Sequence, residues 1–390
     1  MKSESQQITQ ILEKSNNIVI LFSHAQDGDS IASVLAFSLL LEKMGKKTSI
    51  ATITKENKNP SKKNNSKIFS FLPKFNTIKN SLDHLRDFII SLDIRNSQVG
   101  QIKYQLNSDT LDFIISPKNG FFTSENIKCR YEKFKYDLII TINTQDLESL
   151  GKIYDNDTEF FYKTNIINID NNPENEEFGQ INLIDLNTTS TSEIIFNLWQ
   201  NLFPHIQDEK IATCILAGII SKTKSFKTSN ITPRTLDITS KLISLGANRE
   251  EIVNRLYRSK KITTLKLWGK LLSNLKSAID DQLLWSFIYL NNFIEDESDI
   301  ETSLLEAIDE LIINIPNAKL VLFFYESGKD FNKKTGILIY SVKNINILSL
   351  LAEYNPQGTK KIAHLQIPKS FYEIEEIFMT NLQKKLERIL

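Results

Sequence analysis

Five apolar residues in a row, Ile18–Phe22, stop abruptly at the polar loop SHAQDGDS. A strand with one wet face alternates apolar and polar residues, so an unbroken run marks a strand buried on both faces of a parallel sheet. Asp137–Ile142 and Ile166–Ile169 repeat the pattern, and Thr48–Ile53 and Ile181–Ile184 read as further strands. Helical stretches lie between them. Gln6–Lys14 is amphipathic, Ile31–Met44 stops at Gly45, and Ser190–Phe203 has Thr189, Ser190 or Ser192 as candidate caps. Asp208–Ala278 reads as largely helical, with a glycine stop at Gly246. The spacing predicts an α/β fold whose N-terminal domain holds a mostly parallel sheet.

The period changes between Asp87 and Phe122. DFIISLDI, GQIKYQL and TLDFIISP are β-rich and separated by turn-like residues, which predicts an antiparallel β insertion over about 87–122. KENKNPSKKNNSK reads as a polar, lysine-rich loop. From Leu283 onward LLWSFIYL, KLVLFFYE and TGILIYSV read as strands, with helices at Ser303–Ile313 and Phe371–Leu390. The expected organisation is a first domain over 1–280 and a smaller mixed α/β domain over 281–390.

Lys+Arg and Asp+Glu are both 47, so the chain as a whole is not a strongly basic nucleic-acid binder, although a local basic groove stays open. Two cysteines, Cys129 and Cys214, argue against a disulfide framework or a cysteine zinc site. No window approaches the ~20 apolar residues of a membrane span, and the N-terminus has no secretory h-region. The expectation is a soluble cytoplasmic protein without a membrane partner.

Ligand sites in open α/β sheets lie outside the carboxyl ends of the strands. The first such end is FSHAQDGDSIAS, where His24, Asp27 and Asp29 fall within six residues. One imidazole and two carboxylates on a tight loop suit Mn2+ or Mg2+; the plainer reading is a solvated turn with Asp29 or Ser30 capping the next helix. The other ends are LIITINTQDLESLG, with Asn143, and IINIDNNPENEEFG, with Asp170, Asn171 and Asn172. LAGIISKTKSFKTSN places Lys222 and Thr223 after an apolar helix.

The order and spacing of these segments resemble the DHH family of phosphoesterases. HAQDGDSIAS resembles its first motif, IITINTQDLESLG its second, DNNPENEEFG with the later STSE its third, and GIISKTKSF its fourth. The resemblance runs from about residue 15 to 280 and implies a binuclear Mn2+ centre on which His24, Asp27, Asp29 and Asp170 would be ligands. Asn143 stands where the family has an aspartate, Asn171 and Asn172 where it has two histidines, and Lys222 where it has another aspartate. The C-terminal part resembles the DHH-associated domain more weakly, with Ser341, Lys343 and Lys360 as the positions for substrate phosphate.

What the resemblance implies is a DHH-type phosphoesterase homologue with an impaired catalytic centre, holding no metal or one weak Mn2+ or Mg2+ cation. It would bind nucleotides or short single-stranded oligonucleotides in a cleft between the domains, with a homodimer as the family expectation. A residual Mn2+-dependent phosphodiesterase acting on short oligonucleotides is one alternative. A scaffold that uses the β insertion to hold an unidentified protein partner is another.

Overall fold

The computed structural model describes residues 4–23, 27–53, 65–257, 262–289, 303–308, 315–327, 334–343 and 345–388. These fall into two compact units, residues 4–53 with 66–256, and residue 65 with the described residues from 257 onward. No helix among the described residues is long and apolar enough to cross a membrane.

The first unit opens with α1 (Glu4–Lys14), β1 (Asn17–Phe22), α2 (Gly28–Lys43), β2 (Lys47–Thr52) and β3 (Ile78–Lys79). Four strands outside the main sheet follow, β4 (Phe88–Leu92), β5 (Val99–Leu106), β6 (Leu111–Pro117) and β7 (Ile127–Tyr131). Then come β8 (Leu138–Ile142), α3 (Lys152–Asp155), α4 (Thr158–Lys163), β9 (Asn165–Asp170) and β10 (Ile181–Ile184). Helices α5 (Thr191–Leu202), α6 (Glu209–Lys222), α7 (Pro233–Ser244) and α8 (Arg249–Tyr257) complete this part of the chain.

The main sheet runs β10-β9-β8-β1-β2-β3 and is parallel throughout. Ile20 at its centre pairs with Ile50 on one side and Ile140 on the other. Every residue of Ile18–Phe22 is 0% exposed, which explains the unbroken apolar run. Val19 and Leu21 join Ile139, Phe160 and Phe161 in one cluster; Ile18, Ile20 and Phe22 alternate to the opposite face. Each such side chain contributes about 1.5–3 kcal/mol by leaving water. Helices α2, α5 and α6 pack against one another, α2 also touching β1 and α5 touching β9. The strands step outward from β1 in one direction and from β8 in the other. The carboxyl ends of β1 and β8 therefore meet at the sheet's switch point, where open α/β sheets place ligands.

The insertion is a pair of two-stranded ribbons. β4 pairs antiparallel with β7 and β5 with β6, so the ribbon runs to Tyr131 rather than ending near Phe122. Ile127-Lys-Cys-Arg-Tyr does alternate, but two cations in five residues make it read as a polar connection.

The second unit contains α9 (Ile262–Ser273), β11 (Lys276–Ala278), β12 (Leu283–Tyr289), β13 (Leu320–Ser327), β14 (Lys334–Ser341), β15 (Gln357–Gly358) and β16 (Ile362–Ile367). Its sheet runs β11-β12-β13-β14-β16-β15, with β12 and β13 parallel and the other pairings antiparallel. The C-terminal helix Phe371–Glu387 covers one face through Phe371, Phe378 and Leu382. On the other, α9 buries Leu267, Trp268 and Leu271 against Leu284 and Val321. The division expected after residue 280 is met by one after residue 256, because α9 packs in this unit. Lys276–Ala278, expected as helix, is strand β11. Residues 303–308 are helical as expected; 309–313 of that helix lie outside the described residues.

Candidate functional site

The loop after β1 delivers its aspartates to two different helices. Asp27 is the N-cap of α2: its carboxylate accepts the Asp29 N–H at 3.2 Å and the Ser30 hydroxyl at 3.2 Å. The plainer reading of this loop gave that cap to Asp29 or Ser30. Asp29 instead turns inward, fully buried, to the start of α5. Its Oδ2 accepts the Thr191 N–H at 2.8 Å, and its Oδ1 accepts the Ser192 N–H at 3.0 Å and the Ser192 hydroxyl at 2.6 Å. The N-terminus of α5 gets no side-chain cap from its own Ser190, so Asp29 supplies the acceptor that its first N–H groups lack. Burial and the neighbouring charge of Asp27 push the Asp29 carboxyl above its ordinary range, against the Ser192, Lys222 and Thr191 contributions.

Gly218 of α6 makes this approach possible. A Cβ there would stand 1.9 Å from Ser192 Oγ and 3.0 Å from Asp29 Oδ1. Any larger residue would force α6 away from the start of α5.

The end of β8 places Asn143 in the left-handed region, φ 49°, which asparagine tolerates better than most residues. Its Nδ2 donates to Ser30 Oγ at 2.9 Å, its Oδ1 accepts the Thr191 hydroxyl, and its carbonyl accepts the Ser23 hydroxyl at 3.1 Å. One amide therefore ties the loop after β1 to the start of α5. At the end of β9, Asp170 is 2% exposed. Its Oδ1 accepts the Asn171 and Asn172 N–H groups at 2.7 and 3.1 Å, and its Oδ2 accepts Asn175 Nδ2 at 2.8 Å. Burial holds its pKa above the ordinary range in spite of those bonds. Asn171 Nδ2 donates to the Thr188 carbonyl at 3.3 Å, while Asn172 Oδ1 accepts the Glu174 N–H at 3.1 Å within its own turn.

Lys222, the last residue of α6, aims its ammonium at this loop, with Nζ 3.5 Å from Asp27 Oδ2. Burial alone would lower its pKa. The carboxylates of Asp27, Asp29 and Asp170 outweigh that and hold it above the ordinary lysine range. The structure thus brings Asp27, Asp29, Asn143, Asp170, Asn171 and Lys222 together at the strand ends; His24 lies outside the described residues.

Residues 17–219, more than half of the chain, match the DHH family, N-terminal domain. The chain belongs to the DHH family. It is 25% identical over 150 residues to the bifunctional oligoribonuclease and PAP phosphatase NrnA of Thermus thermophilus, a match covering 38% of this chain and 46% of that protein. The Bacillus subtilis protein of the same name is 28% identical over 145 residues, 37% and 44% of the two chains. The chain thus spans less than half the length of these two relatives. An exopolyphosphatase-related protein from Bacteroides fragilis shares the fold, with a TM-score of 0.62 at 18% identity, covering 98% of this chain and 96% of the other.

The donors of this DHH chain can be compared with what two cations need. A pair of dications held close together requires several free carboxylates to offset their repulsion. Here both oxygens of Asp29 and both of Asp170 already accept hydrogen bonds, and Asp27 faces an ammonium. Positions 143, 171 and 172 present neutral amides. Among the described residues no group of three or more His, Cys, Asp or Glu side chains is arranged to hold a metal ion. A cation at these strand ends would compete with those hydrogen bonds and with the Lys222 ammonium for the same carboxylates.

In the second unit Ser341 is fully buried, and its Oγ accepts the Ile345 N–H at 2.8 Å. Lys343 donates to the Pro316 carbonyl at 3.3 Å, and Lys360 is exposed. Back in the first unit, a cavity of about 540 Å³ lined by Arg86, Tyr131, Phe134, Asp137 and Asn165 lies at the amino ends of β8 and β9, away from the strand-end cluster. Ser30 was read only as a candidate cap and Gly218 only as the first residue of GIISKTKSF, and Asn175 was not singled out. Thr191 was visible only within the STSE run, and Ser192 there and as a candidate cap of its own helix. Asn175 gave no signal, yet its Nδ2 also reaches the Thr144 carbonyl at 2.9 Å and its Oδ1 accepts Asn168 Nδ2 at 2.7 Å.

Proposed function

We propose that this DHH-family protein binds a nucleotide or short single-stranded oligonucleotide at the carboxyl ends of β1, β8 and β9, and that its phosphoester hydrolysis is impaired. The observation that carries this reading is the Lys222 ammonium, 3.5 Å from Asp27 Oδ2 and 40% exposed. It is a fixed positive charge among three carboxylates. At an effective dielectric near 20, a unit charge at about 4 Å is worth ~4 kcal/mol, which opposes entry of a dication at the same place. The same ammonium faces solvent and donates to an incoming phosphate oxygen as a point charge. The amides at Asn143, Asn171 and Asn172 support the reading, since neither charge compensation nor imidazole ligation is open to them. The ligand class is taken from the names of the two relatives, an oligoribonuclease and a PAP phosphatase.

The test is calorimetric titration of the purified chain with PAP and with a short oligoribonucleotide, with and without Mn2+, alongside a hydrolysis assay. Binding without metal, weakened by Lys222→Ala, and negligible turnover are expected. The combined Asn143→Asp, Asn171→His, Asn172→His and Lys222→Asp variant should gain Mn2+ binding and hydrolysis. Mn2+-dependent turnover by the unaltered chain, lost in Asp27→Ala, would overturn the proposal in favour of a residual phosphodiesterase. No binding of either ligand would favour the scaffold.

A further inference from the structure

The β5–β6 hairpin has one face made entirely of apolar side chains. Its register sets Ile102 against Ile115, Tyr104 against Phe113 and Leu106 against Leu111, and strand alternation puts these six on one side. Lys103, Gln105 and Asp112 take the other side together with Ile114. Five of the six are exposed, Ile102 64%, Tyr104 76%, Leu106 77%, Leu111 49% and Phe113 53%, and Ile115 is half-buried. The hairpin forms a two-stranded sheet of its own. Such a ribbon is marginal in water unless its apolar face is covered.

We propose that this face is where two copies of the chain associate as a symmetric dimer. The pattern is self-complementary, since the cross-strand pairs read aliphatic, aromatic, aliphatic in either direction along the hairpin. A two-fold axis over the Tyr104–Phe113 pair sets aromatic pair on aromatic pair and each Ile pair over the partner's Leu pair, as an isologous contact requires. The face carries no charge, so identical copies meet without repulsion and without burying an unpaired ion. An acidic or basic partner finds no counter-charge on it. Scaling the exposures to the ~150–250 Å² of an aromatic side chain and somewhat less for an aliphatic one gives roughly 650 Å² per copy. Two copies would bury about 1,300 Å², within the range of specific interfaces, whereas ~300–600 Å² is the usual largest patch on a monomer.

Sedimentation of the full chain at micromolar concentrations tests the assignment. Twice the chain mass is expected, with the dissociation constant rising more than about thirtyfold in Leu106→Lys and Phe113→Lys, the loss expected at an interface hot spot. Tyr104→Phe should leave the dimer intact. Both lysine positions are about half exposed or more, so unchanged far-UV circular dichroism should accompany the change in mass. A monomeric unaltered chain, a dimer indifferent to Leu106→Lys, or a monomer that instead binds lipid vesicles through this hairpin would each overturn the proposal. None of these outcomes depends on nucleotide binding.

Discussion

Replacing Asp29 with alanine separates a carboxylate that holds a helix in place from one kept free for a ligand. Alanine leaves the Thr191 N–H and the Ser192 N–H without their acceptor at a position that is 0% exposed, and leaves the Ser192 hydroxyl with Ser33 Oγ, 2.9 Å away, as its partner. Hydrogen bonds to a charged acceptor contribute ~1.5–3 kcal/mol each, and a buried donor left unpaired costs ~1–3 kcal/mol. The anion at the positive end of α5 adds up to ~2 kcal/mol. Two terms run the other way, because burial and the charge of Asp27 both disfavour the ionised form, and alanine removes that penalty. The two buried N–H groups of Thr191 and Ser192 left unpaired cost ~1–3 kcal/mol each, so a net loss of about 2–4 kcal/mol is expected. In urea, with a slope of ~3 kcal/mol per molar, the midpoint should fall by ~1 M. Asp29→Asn should lose about half as much, since its Oδ1 still accepts one N–H while its Nδ2 confronts the other. An Asp29→Ala chain as stable as the original, or more so, would refute the capping role.

Three further outcomes follow from the same packing. Gly218→Ala should cost ~1–3 kcal/mol by urea denaturation, because its Cβ would overlap Ser192 Oγ at 1.9 Å between two packed helices. Asn175→Ala removes donors to Asp170 Oδ2 and the Thr144 carbonyl and the acceptor for Asn168, so a loss of ~2 kcal/mol is expected, with unchanged far-UV circular dichroism at low denaturant. Burial would raise the pKa of Asp208, but Lys43 at 2.9 Å and the Ile211 and Lys210 N–H groups outweigh it and set the folded value below the ordinary carboxylate range. Its contribution is therefore fully present above the unfolded pKa of ~4 and lost as pH falls through the lower folded value. Urea midpoints of Asp208→Asn should accordingly fall less steeply in acid than those of the unaltered chain.

The parallel sheet was legible because burial on both faces leaves its own signature, unbroken runs such as Ile18–Phe22 that no half-exposed strand would carry. Strand β16 was not legible: Ile362–Ile367 mixes His364 and Gln366 into an alternating hexamer whose buried side depends on β14 beside it. The site divided along the same line. Which residues gather at the strand ends could be read from motif order, but what each one bonds could not, because the partners are far away in sequence. Thr191 is 162 residues from the Asp29 it binds, and Asn143 is 113 residues from Ser30.

That distance matters for how the unusual residues are understood. Asparagine both donates and accepts, and the chain uses both functions at position 143, donating to Ser30 and accepting from Thr191. Asn171 does the same, donating to the Thr188 carbonyl and accepting the Thr191 hydroxyl at 3.3 Å. An aspartate at 143 has no donor for Ser30, and a histidine at 171 has a different reach and can offer only one donor while neutral. Lys222 is placed in the same way, its ammonium 3.5 Å from Asp27 Oδ2 while the side chain stays 40% exposed. These three side chains belong to one hydrogen-bonded and charged network, in which energies do not add. A single reversion would leave a polar group mismatched against neighbours arranged for the present residue. Only the combined set restores a consistent arrangement, which is why the four-residue reversion, rather than any one of its members, is the informative variant.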